Sequence, residues 1–396
     1  MEMEKLAIVG DELKMQNYFR DTWAEVNLDN IEANVQALKK HLPGSTEIIA
    51  VVKANAYGHG DLEVAQTALS AGATWLAVAF LDEALKLRRQ GIDAPILVLG
   101  AVRPRDISTA GAYNISVAAY SYEWLVEAEK YASSKTARIH LKLDTGMGRI
   151  GIRDRHELEK TLSFIQNHQS FHLEGVFTHF ATADELDTSY FDLQYRRLLD
   201  LLEMIETKGI IVHCANSATS LRFPEKVFNA VRFGISMYGL SPSNAMKNML
   251  PFPLQEAFSL HSSIIHIKKV NKGEKISYGA TYETKEDEWI GTVPIGYADG
   301  WIRKLTGTEV LVDGERVPIV GRICMDQLMI RLPEKKPIGT KVTLIGRQGQ
   351  EMISVDEVAD RLETINYEIP CMINWRVPRI YIKGGNRIDV KNPLLF

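Results

Sequence analysis

Eight short apolar runs recur between residues 48 and 238, and this rhythm constrains the fold more than any other feature. They read 48–53 (IIAVVK), 75–80 (WLAVAF), 96–100 (ILVLG), 115–119 (ISVAA), 138–144 (RIHLKLD), 173–179 (LEGVFTH), 211–216 (IVHCAN) and 230–238 (AVRFGISMY). Several are nearly continuous in apolar residues, as strands covered on both faces should be. Most are separated by segments of helical patterning, such as "DLEVAQTALSAG" and "LDEALKLRRQG", with Gly72 and Gly91 where helix C-caps belong. Repeated strand-then-helix units predict the α/β class, as a parallel (β/α)8 TIM-like barrel. A doubly wound open sheet is the alternative.

Before the rhythm, residues 23–29 (WAEVNLD) predict a strand and then a helix capped by Asp29, with Glu32 three residues on. Ile31, Val35, Leu38 and Leu42 fall on one face of that helix. From about residue 255 the texture turns to strands with few helices between them. Asp313-Gly314, between two β-rich runs, predicts a tight hairpin. The chain is therefore expected to divide into an extension over 1–17, a barrel over 18–254, and a mainly β domain over 255–396. The strand at 23–29 is expected to be able to pack with the last of these.

The 46 basic and 50 acidic side chains leave no basic excess for nucleic acid or an anionic membrane. No run approaches the roughly 20 apolar residues that span a bilayer, and the mixed-charge N-terminus does not read as a signal peptide. Cys214, Cys324 and Cys371 lie too far apart for a disulfide framework or a cysteine-rich metal site. A cytoplasmic setting, with no metal, is expected.

In a (β/α)8 barrel the chemistry projects from the C-terminal ends of the strands. Lys53, Arg149, His179, Asn216, Ser217 and Arg232 fall at or near those ends. A strand-end lysine is ordinarily a solvated rim charge, and a histidine on an apolar strand is ordinarily structural. Six polar groups converging on one mouth are harder to dismiss, because burying them unpaired costs several kcal/mol. Arg232 supplies a fixed cation, and Ser217 with the amides near Gly234 and Ile235 can donate to phosphate oxygens. The glycine fingerprints of nucleotide triphosphate and NAD sites are missing from suitable places. A phosphate-bearing cofactor beside one buried lysine points to pyridoxal 5'-phosphate, held as an imine.

"AVVKANAYGHG", "DTGMGRIG", "GVFTHFATAD", "HCANSA", "NAVRFGISMYG", "SYGATY", "GYADG", "GRICMDQ" and "INYEI" resemble alanine racemase, in order and at matching spacing from about Tyr18. The resemblance implies a pyridoxal-phosphate racemase acting as a homodimer and supplying D-alanine for peptidoglycan. It implies that Lys53 binds the cofactor, that Tyr57, Ser217, Gly234, Ile235 and Tyr367 hold its phosphate, and that Arg232 faces its ring nitrogen. Tyr278 becomes the second acid/base group, and Arg149 with the Met325 backbone meets the substrate carboxylate. His179 stacks near the ring or supports Tyr278. Lys142 matches a position that is carbamylated in some members. Tyr278 and Met325 are implied to come from the partner subunit.

Removing a proton from Cα and returning one to the opposite face is most direct with two groups, here Lys53 and Tyr278. An arginine at the ring nitrogen is a donor only, so that nitrogen stays unprotonated and the electron sink is weakened. Tyr297 and Met325 are expected either to narrow the pocket around a methyl side chain or to be β-domain core. A decarboxylase of basic amino acids is a rival, but it places a carboxylate where Arg232 stands. Racemisation of serine, or a non-catalytic pyridoxal-phosphate protein, are the remaining alternatives.

Overall fold

The first strand, β1 (Thr22–Asn27), takes no part in the repeat that follows it. The computed structural model describes residues 18–395, so the extension expected over 1–17 lies outside the described residues. The chain forms two compact units, one over Asn30–Glu256 and one joining the segment before Asn30 to that from Ala257 onward.

In the first unit the strands are β2 (Glu47–Val51), β3 (Trp75–Val78), β4 (Ile96–Val98), β5 (Ile115–Ala119), β6 (Ala137–Lys142), β7 (Phe171–Phe177), β8 (Ile211–His213) and β9 (Ala230–Phe233). All neighbours are parallel, in the order β8-β7-β6-β5-β4-β3-β2-β9. β3 and β5 are buried at every residue, which explains their unbroken apolar runs. The barrel is nearly closed. Between β8 and β9 no ladder forms, but Arg232 N donates to Ala215 O at 2.9 Å and Val212 N to Asn229 Oδ1 at 2.7 Å. The doubly wound alternative is thereby excluded.

Helices cover the barrel as the patterning predicts. Asp61–Ala71 ends on Gly72 at φ +115, where a left-handed cap needs no Cβ. The predicted Asp29 cap is corrected. The helix runs Leu28–His41, placing Asp29 inside its first turn, and Asp29 Oδ2 instead accepts from Gly384 N at 2.7 Å. Its face is read correctly: Ile31, Val35 and Leu38 are fully buried.

The second unit is built on an eleven-stranded sheet. Its strands are β1, β10 (Phe258–Ser263), β11 (His266–Val270), β14 (Glu288–Val293), β15 (Glu309–Val312), β16 (Glu315–Val320), β17 (Leu328–Leu332), β18 (Lys341–Gln348), β19 (Glu351–Ile353), β20 (Arg379–Lys383) and β21 (Asn386–Lys391). β12 (Lys275–Ile276) and β13 (Tyr282–Glu283) form a separate ribbon. β1 lies between β10, antiparallel, and β20, parallel. Asp313 and Gly314, at φ +51 and +83, make the two-residue turn between β15 and β16. Among the described residues no helix is long and apolar enough to cross a membrane, and no cluster of His, Cys, Asp and Glu could hold a metal ion. No disulfide joins the three cysteines.

Candidate active site

β2 stops at Val51, so Lys53 does not end a strand; it opens a separate turn. Ala54, Asn55, Ala56 and Tyr57 have φ of 54°, 53°, 52° and 53°, a left-handed helical turn made of L-residues. Each such residue costs roughly 1–2 kcal/mol. Strain of this kind persists where the surroundings over-determine it, and it gathers at functional sites. Glu83 is one restraint, accepting from Ala54 N at 2.6 Å and from Ala79 N at 2.8 Å. Asn55 is another, its carbonyl taking Gly60 N at 2.9 Å and its side chain Asp61 N at 3.2 Å. The Tyr57 ring packs 4.8 Å from that of Tyr238, whose hydroxyl donates to Val51 O at 2.8 Å. The turn aims Tyr57 at Gly234, where an added Cβ would lie 2.9 Å from the Tyr57 oxygen.

Gly234 N donates to Ser217 Oγ at 3.0 Å, so Tyr57, Ser217 and Gly234 do converge. Ile235 opens a short 3-10 turn, where the first amides have no partner within the turn. Asn216 acts locally, its side chain capping the helix Ser217–Arg222 by accepting from Thr219 N at 3.0 Å.

Arg232 lies buried on β9. One terminal nitrogen donates to His213 O and His213 Nδ1, each at 2.8 Å. The other reaches Thr178 O at 2.8 Å, Cys214 O at 3.1 Å and His179 Nδ1 at 3.2 Å. A guanidinium only donates, so both imidazoles accept at Nδ1. The assignment propagates. His213 Nε2–H donates to His140 Nδ1 at 2.9 Å, and His140 Nε2–H donates to Glu174 Oε2 at 3.3 Å. Ser116 donates to the same carboxylate oxygen. A directed chain thus runs Arg232, His213, His140, Glu174 through the barrel interior.

Charge states agree with it. Burial, reinforced by the Arg232 charge, holds His179 and His213 well below the usual imidazole range. Burial also lowers His140, against the pull of Glu174. Burial alone would raise Glu174, but hydrogen bonds from His140 and Ser116 outweigh it and hold the carboxyl below its usual value. Burial brings Arg232 down to about 10, which leaves it a cation at neutral pH.

Lys142 ends β6 with its ammonium 4.5 Å from the centroid of the Phe177 ring. Burial first, then the Arg232 and Arg149 charges, lower it to about 7. The Asp144 carboxylate is turned away into the next loop, accepting from Gly146 N at 3.1 Å and Gly148 N at 2.9 Å. Among the described residues Lys142 forms no ion pair, and Arg149 is exposed. Lys53, Lys142, Arg149 and Arg232 all act on His179 in the same sense, a cluster of positive charge on one side of the site, against which Asp144 acts on Lys142.

Tyr278, Met325 and Tyr367 belong to the β unit. Tyr278 is 72% exposed on a turn flanked by two left-handed residues, Ser277 at φ +67 and Gly279 at φ +74. Met325 is 52% exposed, and its N–H has no acceptor among the described residues. Tyr297 is 39% exposed, so of the two readings offered for it, β-domain core is the one its exposure disfavours. Tyr367 precedes the helix Glu368–Met372 and is half-buried.

The sequence reasoning missed Glu83, Tyr238, His140, His213 and Glu174. The available signal was a histidine within each of two strand runs, "RIHLK" and "IVH", where a fully buried polar ring needs partners.

Residues 26–242 match the family model for the alanine racemase N-terminal domain, and residues 257–381 that for the C-terminal domain. The chain belongs to the alanine racemase family. On that ground it is an enzyme, an isomerase. It is 59% identical over 381 residues to an alanine racemase of Geobacillus stearothermophilus, covering 96% of this chain and 98% of the relative. The structure resembles that of a Bacillus anthracis alanine racemase with bound L-Ala-P at 56% identity, with a TM-score of 0.93 and coverage of 96% and 99%. It also resembles a Leuconostoc mesenteroides histidine racemase at 33% identity, with a TM-score of 0.87 and coverage of 92% and 98%. A match through both domains at this identity does not favour a serine racemase or a non-catalytic protein.

Proposed function

We propose that the chain interconverts L-alanine and D-alanine with pyridoxal 5'-phosphate, and that Lys53 and Tyr278 exchange the α-proton from opposite faces. The observation that carries this reading is the arrangement of Arg232. Its two terminal nitrogens are fully engaged, and among the described residues its Nε–H has no acceptor. The guanidinium therefore presents one fixed donor edge, suited to the lone pair of an unprotonated ring nitrogen. A phosphate suits the second half of the site: Tyr57, Ser217 and the amides at Gly234 and Ile235 would hold it, and Tyr367 is proposed as a further phosphate ligand. The absence of a side chain at Gly234 fits this cradle, since a Cβ there would crowd the Tyr57 hydroxyl.

When bound, the cofactor links to amines through its aldehyde carbon and spreads the electron pair left at Cα. The Lys53 amine takes the proton on one face, and the Tyr278 hydroxyl delivers one on the other. Arg149 clasps the substrate carboxylate through its planar fork, aided by the Met325 N–H. His179, held neutral, keeps its Nδ1 on Arg232 and would lie beside the ring of a bound cofactor. Lys142 supplies a further charge adjustment. Burial and the neighbouring guanidinium charges bring it down to about 7, which makes the neutral amine accessible near neutral pH. A neutral amine attacks the carbon of CO2, the N–C bond forms and the amine proton leaves to water, placing a carbamate among these cations.

Tyr278 and Met325 stand exposed on the β unit. We propose that each completes the site of a partner subunit in a cytoplasmic homodimer that feeds D-alanine to peptidoglycan synthesis. The test is incubation of the cofactor-loaded protein with either alanine enantiomer in deuterated water. The expected product is the opposite enantiomer carrying deuterium at Cα; retention of both configuration and protium would refute the reading.

A further inference from the structure

Asp299 is fully buried in the β unit, in the "GYADG" turn, and its surroundings go beyond an ordinary turn cap. One carboxylate oxygen takes Gly296 N at 3.0 Å. The other takes Arg20 at 2.8 Å, with Arg376 at 3.7 Å. Arg20 also donates to Arg376 O at 3.1 Å. Arg376 in turn reaches Asp326 at 2.8 Å, and Asp326 is the neighbour of Met325. Two cations and two carboxylates therefore alternate from the N-terminal segment to the "CMDQ" loop.

The same turn is docked on that loop by its backbone. Tyr297 N donates to Cys324 O and Ala298 N to Met325 O, each at 3.0 Å. Gly296 makes this approach possible: a Cβ there would sit 2.3 Å from Cys324 O and 2.4 Å from Met325 O. The Met325 carbonyl is thus occupied, while its N–H lies on the preceding peptide plane, whose carbonyl, Cys324 O, is held by Tyr297 N. Holding Cys324 O on one side, and Met325 O with Asp326 on the other, restrains both ends of the residue whose amide would meet the substrate.

We propose that Asp299 is a positioning residue: through Gly296, Ala298, Arg376 and Asp326 it sets the direction of the Met325 N–H toward the substrate carboxylate. This rests on the role given to Met325 above. A charged group at the centre suits such a role, because charge-assisted hydrogen bonds are short and directional. Loss of a positioning contact can cost a large factor without touching the reacting atoms.

In the holoenzyme, Asp299→Asn keeps the volume and one acceptor but removes the charge. The expected result is a rise in KM for L-alanine of about tenfold with kcat changed by less than about threefold. Asp326→Asn, at an exposed position, should raise KM about threefold. A lowered melting temperature with KM unmoved in both variants overturns the proposal and leaves Asp299 as a turn cap. Should Asp299→Asn fail to fold, Asp326→Asn and Arg376→Gln decide on the same criterion. NMR of 15N-methionine-labelled holoenzyme, with acetate as a carboxylate probe, reads the Met325 amide directly. A wild-type Met325 amide that ignores acetate overturns the carboxylate reading and this inference with it. A wild-type response that Asp299→Asn leaves intact overturns the inference alone.

Discussion

The barrel and the β unit hold their site residues in opposite ways. In the barrel, Arg232 and Ser217 are buried and tied by the protein itself: the Arg232 guanidinium has five hydrogen bonds to four residues, and Ser217 and Gly234 bond one another. On the β unit, Tyr278 and Met325 project from loops with most or half of their surface in solvent. The contrast amounts to a division of labour. On the proposed reading, one half is a floor that would hold a rigid group in one orientation, and the other is an exposed face that would act once a partner covers it.

The most direct challenge to this division is to inactivate each half separately. Lys53→Ala and Tyr278→Ala should each lower kcat by about 10²-fold or more. Mixing the two proteins after subunit exchange should restore about a quarter of wild-type activity, since half the dimers carry one intact site of two. No recovery after verified exchange would mean that each chain completes its own site.

A second, smaller effect is acid sensitivity. His140 and His213 are fully buried with lowered values, so the unfolded chain binds protons that the folded barrel refuses. Stability should fall as pH drops below about 6.5, by up to about 1.4 kcal/mol per pH unit for each histidine, until the folded-state value is passed. In the β unit His261 is lowered to about 4 by burial, which gives one such window from about 6.5 to about 4. Peptide-level hydrogen exchange between pH 7 and 5 should show the barrel loosening first; equal loosening would remove the distinction.

Lys142 offers a third, subtler test. Mass spectrometry under bicarbonate should show gain of one CO2, lost in Lys142→Arg. Bicarbonate-free protein should show a KM for alanine raised about threefold to tenfold, because the cations around Arg149 would lose the anion that a carbamate adds among them. The smallest effect belongs to the hairpin: Gly314→Ala, at φ +83, should cost about 1 kcal/mol in the β unit and leave catalysis intact. A kinetic change there would show that the exposed loops of the β unit depend on the scaffold behind them.

Much of the barrel was legible because a strand covered on both faces leaves an unbroken apolar run, and β5 matches its predicted bounds residue for residue. Strand ends were less legible. The run 48–53 includes Lys53, but the ladder stops at Val51, because nothing in Lys-Ala-Asn-Ala-Tyr announces a left-handed turn. That conformation is imposed by Glu83, Asn55 and Tyr238, and Glu83 and Tyr238 lie far along the chain. The Asp29 cap failed for a related reason: β1 runs straight into the helix, and Gly384 takes the side chain that local reasoning had assigned to the helix. His140 and His213 are 73 positions apart, and only the curvature of the barrel brings their nitrogens within 2.9 Å. Site residues carried by motifs were readable; those that hold the motifs in place were not.

The turn at residues 54–57 has a stereochemical consequence. Its backbone angles mirror those of an ordinary right-handed helix, so they are the angles a D-residue adopts without penalty. A chain made by chemical ligation with D-alanine at exposed position 54 should relieve roughly 1–2 kcal/mol of distortion while leaving Lys53 in place. The segment beside the reactive lysine is shaped as though it had been written in the opposite hand from the rest of the polymer.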